Sequence, residues 1–374
     1  MNISQLKLVN FRNYTEEKID FHPSFNIITG LNGMGKTNIL DAIHFLCLGK
    51  GYFSGMDKFS VQHENTFFRL EGTFIETNKN TNVVLKYQMG GKKELEVSGV
   101  VLDRLSDHVG QFPCVIFAPE DIKLLQDTSE ARRNFLNNTL VQFDKDYLTA
   151  VIFYNKLLKS RNVYLKSMLA THAFDDLYLE SLQEQMVHPA KVIFEKRKQL
   201  IGQLQQVFEE VYAILSKKRE KCVMLYESQL HKEDPLDLWN SSMSRDKILG
   251  RTTCGIHKDD LVLWMNSKPI KNFGSQGQLK SFILALKFSQ YRILETSKKV
   301  KPLIMLDDIF DKLDEQRVGQ LMELVSGDSF GQVFVTDTDN KRIPSLLKNL
   351  KKGGRHFTIE SGTIKQVQDY EPAQ

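Results

Sequence analysis

The stretch GLNGMGKT, Gly30 to Thr37, restricts the fold of this chain more than any other part of the sequence. It matches the pattern G-x-x-x-x-G-K-[ST] at every fixed position, and it follows the apolar run SFNIIT. From Lys36 onward, apolar residues recur on one face of a helix, namely Ile39, Leu40, Ile43, Leu46 and Cys47. A buried strand, a glycine-rich loop and a helix in this order predict a phosphate-binding P-loop in an α/β fold.

The residue types of this loop suit a nucleotide and its magnesium ion. Glycines let the backbone wrap around phosphate oxygens and point N–H groups at them. Lys36 brings a positive charge to the β- and γ-phosphates, the Thr37 hydroxyl is a magnesium ligand, and the start of the helix adds a favourable dipole. We therefore expect the nucleotide to be held by Gly30, Leu31, Asn32, Gly33, Met34, Gly35, Lys36 and Thr37.

A second chemical feature lies far along the chain, where the apolar run LIMLDD ends in Asp307 and Asp308. Ligands of open α/β sheets bind beyond the carboxyl ends of the strands, so Asp307 is predicted to hold Mg²⁺, directly or through water. Asp308 is predicted to polarise a water molecule for attack on the γ-phosphate, because an ionised carboxylate accepts its hydrogen bond. Lys36 and Asp308 are therefore the candidate catalytic residues.

The middle of the chain differs in composition from its two ends. Gly202 is the one glycine between residues 111 and 249, and Pro189 is the one proline between residues 120 and 234. Because both residue types break helices, their scarcity favours helices. A helical apolar stripe agrees with this, through Leu200, Leu204, Val207, Phe208, Val211 and Leu215.

We therefore predict an all-helical domain over residues 131–248, either an arm of paired helices or an ordinary bundle. It is inserted into an α/β domain formed by residues 1–130 and 249–374. In that domain, residues 66–102 alternate as in an antiparallel β meander. The runs KPLIMLDD, EQRVGQLMELV and GQVFVTDT predict a βαβ unit.

Bulk composition sets wider limits. The 374 residues carry a net charge of +4, which permits an anionic partner without requiring one. The four cysteines form no CxxC pair, which is typical of reduced thiols. The start, MNISQLKLVNFRNY, lacks the apolar core of a signal peptide, and no apolar stretch is long enough to span a bilayer. We expect a cytoplasmic protein with no membrane association.

The octapeptide GSQGQLKS, residues 274–281, precedes the helix-prone run FILALKFSQY. Ser275 and Gly277 at a helix N-terminus offer a hydroxyl and backbone N–H groups to an anion. Taken alone, the octapeptide is explained more simply by a plain N-capped helix. Since the P-loop already serves one nucleotide, a second such element suits a dimer, in which it closes over the γ-phosphate held by the partner's P-loop.

These three stretches, in this order, resemble the head domains of ABC-type ATPases of the SMC and RecF group. The runs LVNFRNY, FAPEDIKLL followed by ARRNFL, and GIHKDDL narrow the resemblance to the RecF family of bacterial DNA repair proteins. The resemblance runs from the N-terminus to about Asp337 and is least specific in the helical middle. It implies an α/β P-loop head of ABC type, with a mixed sheet and an antiparallel β subdomain, that binds ATP and Mg²⁺.

The resemblance also implies roles for particular residues. Residues 30–37 become the Walker A loop, Asp307 and Asp308 the Walker B pair, and Arg12 and Asn13 lie at the nucleotide. The signature residues that act in trans, across the dimer, are Ser275, Gly277 and Gln278. The run Asp311 to Asp314 becomes the D-loop, which reaches across the dimer, and APED, through Glu120, falls near the Q-loop.

Two departures from the ABC pattern point to slow hydrolysis. Asp308 stands where most ABC ATPases have glutamate, and Thr336 and Asp337 stand where a switch histidine is expected. Because aspartate is one methylene shorter, it would hold the attacking water less well. We therefore expect a weak, DNA-linked ATPase in which ATP acts as a timing switch rather than as a power source.

By the same resemblance, the chain is expected to act in recombinational repair and replication and to form a homodimer with ATP. Such proteins bind single-stranded, gapped or junction DNA, cooperate with RecR and RecO in loading RecA, and support SOS induction. A basic run without an acid fits DNA phosphate contacts and fits a solvated tail equally well: Lys341, Arg342, Lys348, Lys351, Lys352 and Arg355.

Two alternative functions are also considered from the residues alone. A P-loop small-molecule kinase or phosphotransferase would have no use for residues 274–281. A structural SMC-like protein would need a long heptad coiled coil, which the helical middle does not sustain.

Overall fold

The computed structural model describes residues 1–77, 79–169, 174–216, 220–309, 325, 327, 329–340 and 352–371. The strands are β1 (Asn2–Phe11), β2 (Tyr14–Asp20), β3 (Phe25–Thr29), β4 (Phe67–Glu76), β5 (Lys79–Gln88), β6 (Lys93–Val97), β7 (Val100–Val101), β8 (Cys114–Phe117), β9 (Cys222–Glu227), β10 (Asp260–Met265), β11 (Lys268–Pro269), β12 (Leu303–Leu306), β13 (Val333–Asp337), β14 (Gly354–Glu360) and β15 (Thr363–Tyr370). The helices are α1 (Lys36–Leu48), α2 (Lys123–Gln126), α3 (Ser129–Leu140), α4 (Lys145–Ser167), α5 (Asp176–Ser216), α6 (Pro235–Leu249), α7 (Ile270–Phe273) and α8 (Gln276–Lys298).

The chain divides into two compact units. The first unit consists of Met1–Glu120 and Leu294–Gln374, and the second of Asp121–Ile293. The first unit is thus built from both ends of the chain. Residues 249–293, which we predicted to belong to the α/β domain, pack with the middle of the chain.

The central sheet of the first unit has the strand order β15-β14-β3-β13-β12-β8. β3 pairs in parallel with β13 and β14, and β12 pairs in parallel with β13 and β8. Strands β3, β8, β12 and β13 are buried at every residue, as expected for parallel strands covered on both faces. Because parallel strands end at the same edge, the loop after β3 and the acids after β12 are brought together.

The second sheet of the first unit is antiparallel, with the order β2-β1-β4-β5-β6-β7. It contains the meander predicted over residues 66–102, which is confirmed as β4 to β7. The Phe45 ring of α1 lies 5.8 Å from the Phe11 ring and 5.6 Å from the Phe68 ring, between centroids. This aromatic cluster ties the helix after the P-loop to the antiparallel sheet.

Helices α4 and α5 of the second unit form an antiparallel pair. Near the start of α4, the Tyr147 hydroxyl accepts a hydrogen bond from Arg197 Nε of α5 at 3.1 Å. Near the end of α4, the ring centroids of Tyr164 and Tyr178, at the start of α5, lie 4.8 Å apart. The predicted stripe packs inward, since Leu200, Leu204, Phe208 and Val211 are buried.

The middle of the chain departs in one respect from the all-helical domain that we predicted. Residues Cys222–Glu227 form β9, which pairs antiparallel with β10. Scarcity of glycine and proline shows only that helix breakers are rare. Whether a short run such as CVMLYE becomes a strand depends on a partner edge, and that edge comes from β10, which lies later in the chain.

The predicted βαβ unit is present as far as it is described. β12 and β13 are adjacent and parallel, with Ile304 opposite Val333. The helix predicted at EQRVGQLMELV falls on residues outside the described ranges, apart from Val325. Within those ranges, every helix is too short or too polar to cross a lipid bilayer.

Candidate functional site

The P-loop runs from the end of β3 to the start of α1, and its shape depends on glycine. Gly33 and Gly35 have φ angles of +82° and +113°, which glycine adopts at little cost. A side chain at Gly35 would also come within 2.6 Å of Asn13 Nδ2. The backbone geometry therefore favours glycine at both positions, of which the phosphate-loop pattern fixes only Gly35.

Lys36 is buried, and oxygen atoms of the loop hold its ammonium group. Nζ donates to the carbonyl oxygen of Gly30 at 2.9 Å and to that of Leu31 at 3.3 Å. Nζ also lies 3.9 Å from Oδ2 of Asp308. The positive charge is thus placed inside the loop, beside the second acid after β12.

The first acid after β12, Asp307, contacts both the P-loop helix and β13. Thr37 Oγ1 lies 2.9 Å from Oδ1 and 3.1 Å from Oδ2 of Asp307, and Thr336 Oγ1 donates to Oδ1 at 2.8 Å. Burial raises the pKa of Asp307 to about 6, against the lowering by the two hydroxyls and with further raising by the charges of Asp308 and Glu120. Because burial makes this carboxylate costly to ionise, a cation bound beside it would stabilise its charged form.

Asp308 has an unusual backbone conformation for a residue other than glycine. Its φ angle is +42°, and its N–H donates to Thr336 Oγ1 at 2.9 Å. Left-handed backbone at such a residue costs about 1–3 kcal/mol and is common at functional sites. Thr336 therefore bonds to both acids. From the sequence alone, this residue was identified only as standing where a switch histidine is expected.

Arg12 and Asn13, between β1 and β2, contact the P-loop region in different ways. Asn13 Nδ2 donates to the Met34 carbonyl oxygen at 2.9 Å, and Asn13 Oδ1 accepts from Asn38 Nδ2 at 2.8 Å. The Arg12 guanidinium forms an ion pair with the buried carboxylate of Asp41 in α1. Asn13 thus braces the P-loop, whereas Arg12 is oriented by α1.

The turn between β14 and β15 also holds the P-loop, and no sequence pattern predicted this contact. Gly362 N donates to the Met34 carbonyl oxygen at 3.0 Å, and Ser361 N donates to Met34 Sδ at 3.2 Å. Gly362 has a φ angle of +72°, and a side chain there would overlap the carbonyl oxygen of Asn13. The Ser-Gly pair between HFTIE and TIKQV signals a hairpin, but nothing near it points to the P-loop.

In the second unit, the octapeptide begins α8 with a reciprocal capping box. Ser275 Oγ accepts from Gln278 N at 3.3 Å, and Gln278 Oε1 accepts from Ser275 N at 2.8 Å. Ser275 is exposed, and Gly277 is half-buried. The octapeptide is therefore an N-capped helix start whose serine is accessible to a ligand or partner.

The basic run at residues 341–355 lies only partly in the described structure. Arg355 Nε and Nη2 bond to Asp369 Oδ1 and Oδ2 at 2.6 and 3.1 Å, and Nη1 donates to the Asp20 carbonyl oxygen at 2.8 Å. Lys352 Nζ donates to the Gly327 carbonyl oxygen at 2.8 Å. Arg355 therefore links β14 to β15 and β2. The structure does not describe the predicted DNA-contact residues Lys341, Arg342, Lys348 and Lys351 or the predicted D-loop, Asp311 to Asp314.

Comparisons with known sequences place this chain in a family. The family model described as RecF/RecN/SMC N terminal domain matches residues 2–352. The DNA replication and repair protein RecF of Flavobacterium johnsoniae is 38% identical, over 96% of this chain and 100% of that protein. The protein of the same name from Phocaeicola vulgatus is 37% identical, over 98% of each chain.

Solved structures agree with the sequence comparison. The recombination mediator protein RecF with ATP, of the RecFOR pathway, is 27% identical with a TM-score of 0.87, covering 99% of this chain and 97% of that one. The Smc head domain of Pyrococcus furiosus has a TM-score of 0.56 at 16% identity, covering 99% and 96% of the two chains, which shows a shared fold alone. The predicted α/β head of ABC type is thus confirmed. Because the family model and the RecF relatives both match along most of its length, this chain belongs to the RecF family of DNA replication and repair proteins.

Proposed function

We propose that this chain is an ATP-operated DNA-binding protein of recombinational repair and replication. The observation that carries the proposal is the 2.9 Å contact between the Thr37 hydroxyl and the Asp307 carboxylate, in a site that also holds the buried ammonium of Lys36. A nucleoside triphosphate with its magnesium ion requires these groups. The solved relative with ATP supports ATP as the nucleotide. In this proposal, residues 1–130 and 249–374 form the ATPase head and residues 131–248 form the insertion, so the functional head includes residues 121–130 and 249–293 of the second compact unit.

The side chains at the site fit Mg²⁺. Thr37 and Asp307 offer oxygen ligands, and Mg²⁺ usually takes one or two ligands from the protein and the rest from phosphate and water. In keeping with this, the described residues contain no group of three or more His, Cys, Asp or Glu side chains that would hold a metal. When bound, Mg²⁺ would neutralise charge on the phosphate oxygens.

Hydrolysis is proposed to depend on Asp308 and Lys36. Asp308 orients and polarises the attacking water, and Lys36 stabilises the charge that develops on the γ-phosphate. Arg12 and Asn13 contact the nucleotide in this proposal. Since Asp308 is short and Thr336 replaces an imidazole, turnover is slow and ATP serves as a timing switch.

ATP is further proposed to join two copies of the chain. Ser275, Gly277 and Gln278 of one copy close over the γ-phosphate in the P-loop of the other, and the Asp311–Asp314 run reaches across. Two equal sites then form about a two-fold axis. The exposure of Ser275 supports this arrangement, because a buried serine would be unable to meet a second molecule.

Light scattering of the purified protein with and without ATP tests the dimer. We expect the mass to double with ATP in the natural protein, and to stay monomeric in Lys36→Met and in Ser275→Arg. A monomeric phosphotransferase would tolerate Ser275→Arg. Undiminished ATP-dependent doubling in that variant would therefore contradict a signature turn that acts in trans.

Single-stranded, gapped or junction DNA is the proposed macromolecular ligand, and the basic run at residues 341–355 is one proposed contact. RecR and RecO are the proposed protein partners, in RecA loading and SOS induction, and the RecFOR pathway named for the solved relatives supports them. Affinity for gapped DNA is expected to fall at least about tenfold between 50 and 200 mM salt, because phosphate contacts release counterions. A flat salt response would argue against phosphate contacts.

A further inference from the structure

The signature turn contacts a side chain that belongs to no recognised motif, Glu220. Gln278 uses its amide oxygen to accept the Ser275 N–H at 2.8 Å, and its amide nitrogen donates to Glu220 Oε1 at 3.0 Å. A glutamine amide has one end that only accepts and one that only donates. An acceptor on the nitrogen end therefore determines that the oxygen end faces Ser275.

The orientation of Gln278 matters because Ser275 is held by the same exchange. The Gln278 N–H bonds to Ser275 Oγ at 3.3 Å, so each residue caps the other. The turn has little spare room, since a side chain at Gly274 would come within 2.8 Å of Leu279 Cδ2 and 3.0 Å of the Ile270 oxygen. Reversal of the Gln278 amide would remove the bond to the Ser275 backbone and release the serine.

Hydrogen bonds hold the backbone of Lys221 and Cys222, the two residues that follow Glu220. Lys221 N donates to Asn266 Oδ1 at 3.0 Å, and Asn266 N donates to the Lys221 carbonyl oxygen at 2.8 Å. Gln205 Nε2 of α5 donates to the Cys222 carbonyl oxygen at 3.0 Å. Burial, and after it the charge of Glu220, raise the pKa of the Cys222 thiol to about 12.

We propose that Glu220 is a positioning residue for the signature turn. By accepting from Gln278, it holds Ser275 in the arrangement that meets the γ-phosphate bound by a second copy of this chain. This inference rests on the proposed role of Ser275 in trans. It assigns to the segment just before β9 a part in nucleotide-dependent pairing.

Mixed dimers test the inference, because each composite site takes its P-loop from one copy and its signature turn from the other. Differently tagged variants are mixed, and ATP-dependent copurification is measured. Lys36→Met mixed with Ser275→Arg keeps one intact composite site and sets the reference level. If this mixture does not pair, the proposed trans arrangement itself is wrong, whatever Glu220 does.

Given that reference, Glu220→Ala is mixed with each of the two variants. With Lys36→Met, one intact P-loop meets one intact signature turn, so pairing is expected at the reference level. With Ser275→Arg, no intact signature turn is left, so pairing is expected to be about tenfold weaker, the effect of one lost hydrogen bond to a charged group. Equal pairing in both mixtures, or equal loss in both, would overturn the inference.

Glu220→Gln serves as the matched variant, since it keeps an acceptor oxygen at the same reach. Its pairing with Ser275→Arg is expected to return to near the reference level. A loss as large as that of Glu220→Ala would exclude the hydrogen bond to Gln278 as the cause. Thermal unfolding of each variant alone tests for misfolding. A misfolded Glu220→Ala would also lose pairing with Lys36→Met, whereas the inference expects that mixture to stay at the reference level.

Discussion

The hydroxyl of Thr336 donates to Oδ1 of Asp307 at 2.8 Å. The same hydroxyl oxygen accepts the N–H of Asp308 at 2.9 Å. One side chain on β13 thus fixes two successive acids at the end of β12. The positions of both proposed acids therefore depend on a neutral hydroxyl group.

Replacement of Thr336 by valine keeps the shape of the side chain and removes the hydroxyl. We expect Thr336→Val to slow single-turnover ATP hydrolysis by about tenfold, since a lost hydrogen bond in a buried site costs about 1–3 kcal/mol. The control is Thr336→Ser, which keeps the hydroxyl and should remain close to the natural rate. Equal rates for Val and Ser would show that the acids do not need this bond.

The turn at Gly362 is predicted to control nucleotide affinity. Gly362→Ala would place a side chain against the carbonyl oxygen of Asn13, which neighbours the P-loop at Met34. The matched control is Gly99→Ala, because Gly99 has a φ angle of +83° and nothing within 4 Å of an added side chain. Both variants should lose about 1–2 kcal/mol of stability from left-handed backbone, and Gly362→Ala should lose more because its side chain also overlaps the Asn13 carbonyl oxygen.

Only the change at Gly362 is expected to weaken binding of a fluorescent ATP analogue, by about tenfold or more for a displaced phosphate loop. Titration of both variants provides the measurement. If Gly99→Ala weakens binding as much as Gly362→Ala, general loss of stability rather than contact with the P-loop is responsible.

The ion pair between Arg161 and Asp246 is predicted to stabilise the second unit. Arg161 Nη1 lies 2.7 Å from Asp246 Oδ2, and both side chains are fully buried. Arg161→Met should destabilise this unit by about 3–5 kcal/mol, because it leaves an uncompensated buried carboxylate. The double change Arg161→Met with Asp246→Leu should recover part of that loss.

Urea unfolding, monitored by tryptophan fluorescence, measures the stability of the second unit selectively. Both tryptophans of the chain, Trp239 and Trp264, lie in the second unit. A single variant that unfolds at the same urea concentration as the natural protein would contradict the prediction.

His257 makes the stability of the second unit depend on pH. Burial, together with nearby positive charges, lowers the pKa of His257 to about 4. An unfolded chain takes up this proton near pH 6.5, whereas the folded one stays neutral, so stability is present above about pH 6.5 and is lost as pH falls toward 4.

The loss from this histidine between pH 7.5 and pH 5 should be about 2 kcal/mol, at about 1.4 kcal/mol per pH unit below 6.5. His257→Gln should show a correspondingly flatter dependence, even if its stability is lower throughout. Urea unfolding of both proteins at the two pH values provides the measurement. An equally steep loss in the variant would assign the pH dependence to other groups.

Local patterns in the sequence sufficed for the main elements of the site. The P-loop after β3, the amphipathic α1, the acids after β12 and the meander of β4 to β7 were each predicted from neighbouring residues. Their signals lie within one strand or helix, where periodicity and turn residues carry the information. The structure places Lys36, Thr37, Asp307 and Asp308 together as the motif requires.

Contacts between distant parts of the chain were not predictable in this way. Ser361 meets Met34 across 327 positions, and no pattern near either residue indicates the other. The residues of β9 lie within the predicted all-helical domain, and no local pattern reveals their partner strand, which lies beyond residue 255. The basic run around Arg355 fits phosphate contacts and a solvated tail equally well, and nothing in it indicates that Asp369 of the next strand bonds to Arg355.

The position of β3 between β13 and β14 has a consequence for protein synthesis. The ribosome delivers the Gly30–Thr37 segment well before β13 and β14, the strands that flank β3 in the sheet. Until both strands have emerged, a nascent polypeptide carries the triphosphate-recognition sequence without the sheet that shapes it. Messages cut short before residue 354 should therefore yield products that lack β14 and cannot engage nucleotide.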